Sequence, residues 1–232
     1  MVLSIGLLCG FLFGCSPNAF AGSVQFSLPQ PIMGNKQIQV ESWLSLKFAG
    51  TVHQKYDFSC GSAALATLLT YVYHNPTSEE TVFKSMLRHG DKSRIEKFGF
   101  SLLDMKRYLS RHGIRSGGFK ASFAKLIMLH VPAIVLINYH GYHHFVVVRG
   151  ALDGKVLISD PSLGLRTESV RRFKHQWSHI FFIMLNDLSV ARAAFNSPVI
   201  WHHVTRPPTS LAQFQINDLA FPPGGFRNLT SF

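Results

Sequence analysis

Charged side chains are absent from residues 1–21, and the apolar stretch within them, Val2 to Cys15, is too short to cross a membrane as a helix. That stretch has the length of a signal-peptide core, and Ala19-Phe20-Ala21 has the small-x-small form that signal peptidase cleaves. We therefore expect residues 1–21 to be an export signal and the mature protein to begin at Gly22. The alternative is a lipoprotein signal ending at Cys15, which ranks second because the residues before it fit a lipobox poorly.

Cysteine is scarce, with only Cys9, Cys15 and Cys60 in 232 residues. Two of the three lie in the expected signal, so the exported protein would keep Cys60 alone and form no intramolecular disulfide. A lone thiol in an oxidising compartment calls for a reason. One alternative is a buried cysteine that acts as a small hydrophobic residue, and the neighbours of Cys60 decide between the two.

Acidic side chains are few, since 12 Asp and Glu stand against 23 Lys and Arg, for a formal net charge of +11. A nucleic-acid partner is one reason for such an excess. The basic residues are scattered instead of gathered in a stripe, however, and no nucleic-acid-binding motif accompanies them. We therefore expect no nucleic-acid partner and a basic surface that favours anionic partners.

Motifs for metal binding are also missing, because the chain has no HExxH sequence and no closely spaced pair of cysteines. Histidines do cluster at residues 140–144 and at His202-His203, which raises a metal site as an alternative. We interpret these as loop histidines on a basic surface. The sequence thus predicts no metal and no cofactor.

The apolar residues follow helical patterns in the first half of the chain and form short, strand-like runs in the second half. The uncharged, Ala- and Leu-rich run Ser62 to Tyr73 predicts a central buried helix, and capping residues predict two more helices that end near His89 and Arg111. Short apolar runs at 133–139, 144–149, 156–159 and 180–184 predict strands, with a turn at Asp153-Gly154. Helices followed by an antiparallel sheet define an α+β domain. We place it at residues 51–185, between an N-terminal extension (22–50) and an irregular C-terminal extension (186–232).

Cys60 directly precedes the central helix. A cysteine at that position meets the positive end of the helix dipole and its free N–H groups, which favour thiolate over thiol. Six residues upstream, Gln54 carries an amide that can fold back and, with the Cys60 N–H, stabilise an oxyanion. Gly61 would leave room for a substrate carbonyl. These residues predict a nucleophile and its substrate-binding surroundings.

A thiolate nucleophile needs a base, and the base needs a group to orient it. Among twelve histidines, His144 stands out because it opens a strand that can aim it at the helix start, with His143 as the alternative. Asp160 ends the next predicted strand. If the two strands are partners in a hairpin, the start of one lies beside the end of the other, and the two side chains can meet.

The blocks Gln54, Cys60-Gly61 with its helix, His144-Phe145-Val146-Val147 and Asp160-Pro161 resemble cysteine-peptidase family 39. These papain-like peptidases cleave leader peptides after a double glycine during export. The resemblance covers roughly residues 50–185 and implies a papain-like fold with N-terminal helices packed on an antiparallel sheet. It also implies Cys60 as nucleophile, His144 as base, Asp160 as the orienting carboxylate and Gln54 as oxyanion donor.

The chain departs from the family pattern in two ways. Many members carry Asp directly before the cysteine, where this chain has Ser59. Well-known members are domains of membrane-embedded exporters, whereas this chain has an export signal and no membrane span. It is therefore similar to the stand-alone exported branch found in functional-amyloid secretion systems of Gram-negative bacteria. That likeness implies a periplasmic peptidase whose polypeptide substrate is a component of the amyloid system.

Two other classes of function remain as alternatives. Family members that lack the cysteine bind leader peptides without cleaving them, but this chain retains the nucleophile Cys60. An acyltransferase on the same fold would resolve the thioester with an amine instead of water, and the sequence does not distinguish that reaction from hydrolysis.

Overall fold

The computed structural model describes residues 21–23, 39–41, 43–139 and 141–205. The chain divides into two compact units, Met1–Ser45 and Leu46–Phe232. In the first unit, β1 (Ala21–Ser23) pairs antiparallel with β2 (Gln39–Glu41). The expected signal peptide and the alternative lipoprotein cysteine fall on residues outside the described ones.

The short helix α1 (Trp43–Lys47) lies in the N-terminal extension. The other helices of the described chain are α2 (Cys60–Tyr71), α3 (Glu79–His89), α4 (Lys92–Phe98), α5 (Leu102–Arg111), α6 (Phe123–Met128), α7 (Val170–Gln176), α8 (Leu188–Ala194) and α9 (Pro198–Thr205). The strands of the second unit are β3 (Ser116–Lys120), β4 (Ala133–Tyr139), β5 (Tyr142–Leu152), β6 (Lys155–Asp160), β7 (Gly164–Ser169) and β8 (Trp177–Met184). No helix among the described residues has both the length and the apolar character that a membrane crossing requires.

Helix α2 is the centre of the second unit. All its residues from Cys60 to Leu69 are buried, as expected for an uncharged sequence that is apolar on nearly every side. It contacts strands β4, β5 and β6 and helices α3 and α5. The helix begins at Cys60, two residues earlier than the apolar run alone predicts, and this places the thiol in the first turn.

Side-chain caps start the helices beside α2. The Ser78 hydroxyl accepts the Thr81 N–H at the start of α3, and Ser101 with Asp104 forms a complete capping box at the start of α5. The sequence Thr77-Ser78-Glu79-Glu80 resembles a capping box, but Ser78 is the capping residue and Thr81, not Glu80, occupies the third helical position.

The sheet of the second unit has six strands in the order β3-β8-β4-β5-β6-β7, and every neighbouring pair is antiparallel. Strands β5 and β6 form the expected hairpin, in which Asp153 and Gly154 adopt φ angles of 49° and 72°. Positive φ at both central residues is the geometry of a tight hairpin turn. The α+β class is confirmed.

The expectation of an irregular chain after residue 186 is wrong for the described part of that segment. Helices α8 and α9 lie there, and Ala191 of α8 is fully buried in the core. Burial of a small apolar face against the domain stabilises helices that are too short to be stable alone.

Candidate active site

Cys60 is the first residue of α2, and its side chain is a free thiol with 6% exposure. The first N–H groups of a helix have no partner within it and carry partial positive charge. Cys60 therefore stands where the helix favours a developing negative charge. The following residue, Gly61, is buried as well.

Gly61 is closely packed against the core. A Cβ atom there would lie 2.9 Å from Met105 Cε and 3.1 Å from Phe100 Cβ, closer than side chains normally approach. The missing side chain thus makes room for the core. A contact between the Gly61 backbone and substrate stays a prediction.

His144 lies near the start of β5, opposite Ile137 of β4. Its side chain is buried, with 6% exposure of the residue, while the neighbouring His143 is exposed. Side chains alternate between the two faces of a strand, so only one of two successive histidines can face α2. The buried one is His144.

Asp160 ends β6 and is 1% exposed. Its Oδ1 accepts a hydrogen bond from His144 Nε2 at 2.7 Å and main-chain N–H bonds from Ser162 at 3.0 Å and Leu163 at 3.2 Å. Its Oδ2 accepts from Arg166 Nε at 3.1 Å. A buried carboxylate is tolerated when both of its oxygens are paired in this way.

These contacts perturb the titration of the pair. Burial opposes the charge of His144, but the hydrogen bond to Asp160, the neighbouring Cys60 thiol and the charges of both raise its pKa from 6.5 to about 9. Burial also opposes the charge of Asp160, yet the hydrogen bond and charge of His144, together with Arg166, hold the pKa of this carboxyl below its ordinary value. The geometry therefore favours an imidazolium–carboxylate pair at neutral pH.

The remaining ring nitrogen of His144 is left for Cys60. His144 Nδ1 is buried and has no hydrogen bond of standard geometry, while the thiol is near enough to raise the histidine pKa. The thiol is therefore a neighbour of the ring without a hydrogen bond to Nδ1. Catalytic contacts are commonly loose before substrate binds.

Gln54 is held between two segments. Its Nε2 donates to the Tyr56 carbonyl at 3.0 Å, and its Oε1 accepts from Ser162 Oγ at 2.8 Å. Its main-chain N–H donates to the Pro161 carbonyl at 3.0 Å. The loop before Cys60 is thus attached to the turn after Asp160, which brings Gln54 to the Asp160 side of the site. An amide nitrogen carries two hydrogens, so one remains for another acceptor.

Ser59, which stands where many related sequences carry Asp, is completely buried. Its hydroxyl donates to the Tyr56 carbonyl at 2.9 Å and accepts the Tyr56 N–H at 3.1 Å. Ser59 therefore closes the loop that leads into α2. It belongs to the framework of the site, since both hydrogen bonds of its hydroxyl are to the main chain of Tyr56.

Three neighbours of the site were missed by sequence reasoning. Arg166, in strand β7, binds Asp160, and Ser162, in the turn before that strand, binds Gln54. Tyr142 Oη donates to the Asp57 carbonyl at 2.6 Å. The Tyr142 ring lies 6.0 Å from the His144 ring. A prediction of the β6–β7 hairpin would have indicated Arg166. Asp160 pairs with Gly164, and Arg166, two residues after Gly164, lies on the same face of the sheet as Asp160.

A thiol at a helix N-terminus beside a buried His–Asp pair on an antiparallel sheet is the arrangement of papain-like cysteine peptidases. Residues 49–188 match the model of the Peptidase C39 family. The chain belongs to this family and is a cysteine peptidase.

Two relatives carry the name "Probable functional amyloid protease FapD". The protein from Pseudomonas aeruginosa is 42% identical over 63% of this chain and 65% of its own length, slightly under two thirds. The protein from Pseudomonas fluorescens is 39% identical over 84% of this chain and 81% of its own length. The crystal structure of the peptidase domain of Streptococcus ComA superposes with a TM-score of 0.50 at 21% identity, over 58% of this chain and 96% of that domain, and supports the fold.

We expect the His144 ring to titrate with a midpoint of about 9 when followed by NMR, with its signal assigned by its loss in His144→Gln. Because the folded-state pKa lies above the ordinary 6.5, stabilisation from this charge is complete below pH 6.5 and is lost as the pH rises through about 9. Asp160→Asn should lower the midpoint, because it removes the carboxylate that raises it. A midpoint at or below 6.5 in the unsubstituted protein would contradict the pairing.

Proposed function

We propose that this chain is an exported endopeptidase in which Cys60 is the nucleophile, His144 the acid and base, Asp160 the orienting carboxylate and Gln54 the oxyanion donor. The observation that carries the proposal is the buried hydrogen bond from His144 Nε2 to Asp160, which leaves the buried Nδ1 without a hydrogen-bond partner on a ring whose pKa Cys60 helps to raise. An imidazole fixed at one nitrogen presents the other to the reacting groups.

In the first half of the reaction, the Cys60 thiolate attacks the carbonyl carbon of the scissile bond and forms a C–S bond. The carbonyl oxygen becomes negative and accepts hydrogen bonds from the Cys60 N–H and from the second N–H of Gln54 Nε2. The intermediate then collapses, the C–N bond breaks, and the His144 Nδ1 proton passes to the leaving amine. The product of this half is a thioester on Cys60.

In the second half, water attacks the thioester carbonyl while His144 Nδ1 accepts its proton. The C–S bond breaks, the carboxylic acid product leaves, and the thiolate–imidazolium pair is restored. Asp160 keeps Nε2 protonated throughout, because its Oδ1 accepts that N–H at 2.7 Å. It thereby fixes the tautomer and the orientation of the ring.

The proposed substrate is an extended segment of a secreted protein that belongs to a functional-amyloid system. The names of the two Pseudomonas relatives support this class of substrate, and the apolar stretch at residues 2–15 supports export to the periplasm. The excess of basic side chains, +11 overall, favours a polar or acidic chain in transit.

In purified protein, His144→Ala should lose at least about 10³-fold in kcat, because the proton can no longer be transferred. His143→Ala is the matched control: its ring is exposed on the other face of the same strand, so activity should stay of the same order as that of the unsubstituted enzyme. Circular dichroism of both variants checks folding. Loss of activity in His143→Ala with retention in His144→Ala would reverse the assignment of the base.

The substrate is tested in the bacterium that encodes the chain. Periplasmic and secreted peptides are compared by N-terminal mass spectrometry between the intact strain and a Cys60→Ala strain, and an amyloid component should remain uncleaved in the mutant. If every cleavage product of the intact strain is also found in the Cys60→Ala strain, the proposed peptidase role is contradicted. Products that carry an added amine at the new C-terminus, instead of a free carboxylate, would indicate acyl transfer.

A further inference from the structure

Ser162 touches both halves of the proposed catalytic site. Its main-chain N–H donates to Asp160 Oδ1 at 3.0 Å, the same oxygen that binds His144. Its hydroxyl donates to Gln54 Oε1 at 2.8 Å, across 108 positions of sequence. Ser162 therefore binds both the carboxylate that orients the base and the amide that is proposed to stabilise the oxyanion.

The Tyr56 carbonyl and the Ser162 hydroxyl together hold the Gln54 amide in one orientation. The Tyr56 carbonyl can only accept, so it must face Nε2, and the hydroxyl donates to Oε1 at the other end. With both ends of the carboxamide bound, rotation about its last side-chain bond is restricted. The second N–H of Nε2 is then held in one orientation before substrate arrives, which is the condition for oxyanion stabilisation.

The backbone supports the same contact. The Gln54 N–H donates to the Pro161 carbonyl at 3.0 Å, so the main chain of the two segments is already joined next to Ser162. Asp160 accepts the N–H groups of the second and third following residues, a turn that fixes the position of Ser162. Ser162 itself is exposed, so its hydroxyl contributes little to the core.

We propose that Ser162 is a positioning residue that orients the Gln54 amide toward the oxyanion and links it to the Asp160 turn. This inference rests on the proposed function, in which Gln54 is the oxyanion donor. The hydroxyl acts through Gln54 and has no contact with the reacting atoms of its own.

The test is a double-mutant cycle of Ser162→Ala and Gln54→Ala, with an internally quenched peptide that carries Gly-Gly at its centre as substrate. Gln54→Ala should lose about 10² to 10³-fold in kcat, the usual effect of one oxyanion donor. Ser162→Ala should lose about fivefold to tenfold in kcat with KM unchanged, the size of one neutral hydrogen bond. The double variant should be no slower than Gln54→Ala, because the hydroxyl has nothing left to orient.

Two further readouts separate this role from a general effect on folding. Ser162→Thr keeps the hydroxyl and should restore most of the activity. Alkylation of Cys60 by iodoacetamide forms no oxyanion, so its rate should be the same in Ser162→Ala and in the unsubstituted enzyme. Slower alkylation in Ser162→Ala would indicate an effect on the Cys60–His144 pair and would overturn the proposal.

The outcomes distinguish the inference from the function on which it rests. Normal kcat in Ser162→Ala, or losses that multiply in the double variant, would overturn the role of Ser162 while Gln54 keeps its own. Normal kcat in Gln54→Ala would remove Gln54 from the oxyanion site and overturn both assignments.

Discussion

The 2.7 Å hydrogen bond between His144 and Asp160 is the interaction on which the arrangement of the site depends. Both side chains are almost completely buried, and burial alone would keep each of them uncharged. Asp160 stays ionised because Arg166 and two main-chain N–H groups also bind it. The turn after β6 and the first half of β7 thus supply the groups that make a charged pair stable inside the domain.

The site is assembled from two parts of the fold. Helix α2 and the loop before it carry Cys60 and Gln54, and the hairpin of β5 and β6 carries His144 and Asp160. Hydrogen bonds at both ends of the site join the parts, from the Gln54 N–H to the Pro161 carbonyl and from Tyr142 Oη to the Asp57 carbonyl. The relative position of nucleophile and base therefore depends on exposed loops as well as on the core.

The sequence was sufficient for the elements with a strong local signal. Helix α2 is uncharged and apolar, and the Asp153-Gly154 turn between two apolar runs defines the β5–β6 hairpin, which brings His144 to Asp160. The two residues are diagonal neighbours across this hairpin. Val147 pairs with Ser159, so continuation of the register places His144 two residues beyond the partner of Asp160, on the same face.

Other elements owe their structure to tertiary contacts that local patterns do not show. Strand β3 contains two adjacent glycines and forms because it pairs with β8. Strand β7 carries Arg166 and Glu168, whose ion pair replaces the apolar alternation expected of a strand. The partners of Gln54 were equally hidden, because Ser162 reaches it only after the turn and the loop have folded together.

The rate of alkylation of Cys60 by iodoacetamide as a function of pH tests the central claim most directly, namely that the thiol is paired with an imidazolium. At about pH 5.5 a free thiol, with a pKa of about 8.5, is almost wholly protonated and reacts slowly. The account predicts that Cys60 reacts faster than free cysteine at this pH and that His144→Ala abolishes the difference. Alkylation at the rate of free cysteine in the unsubstituted protein would contradict it.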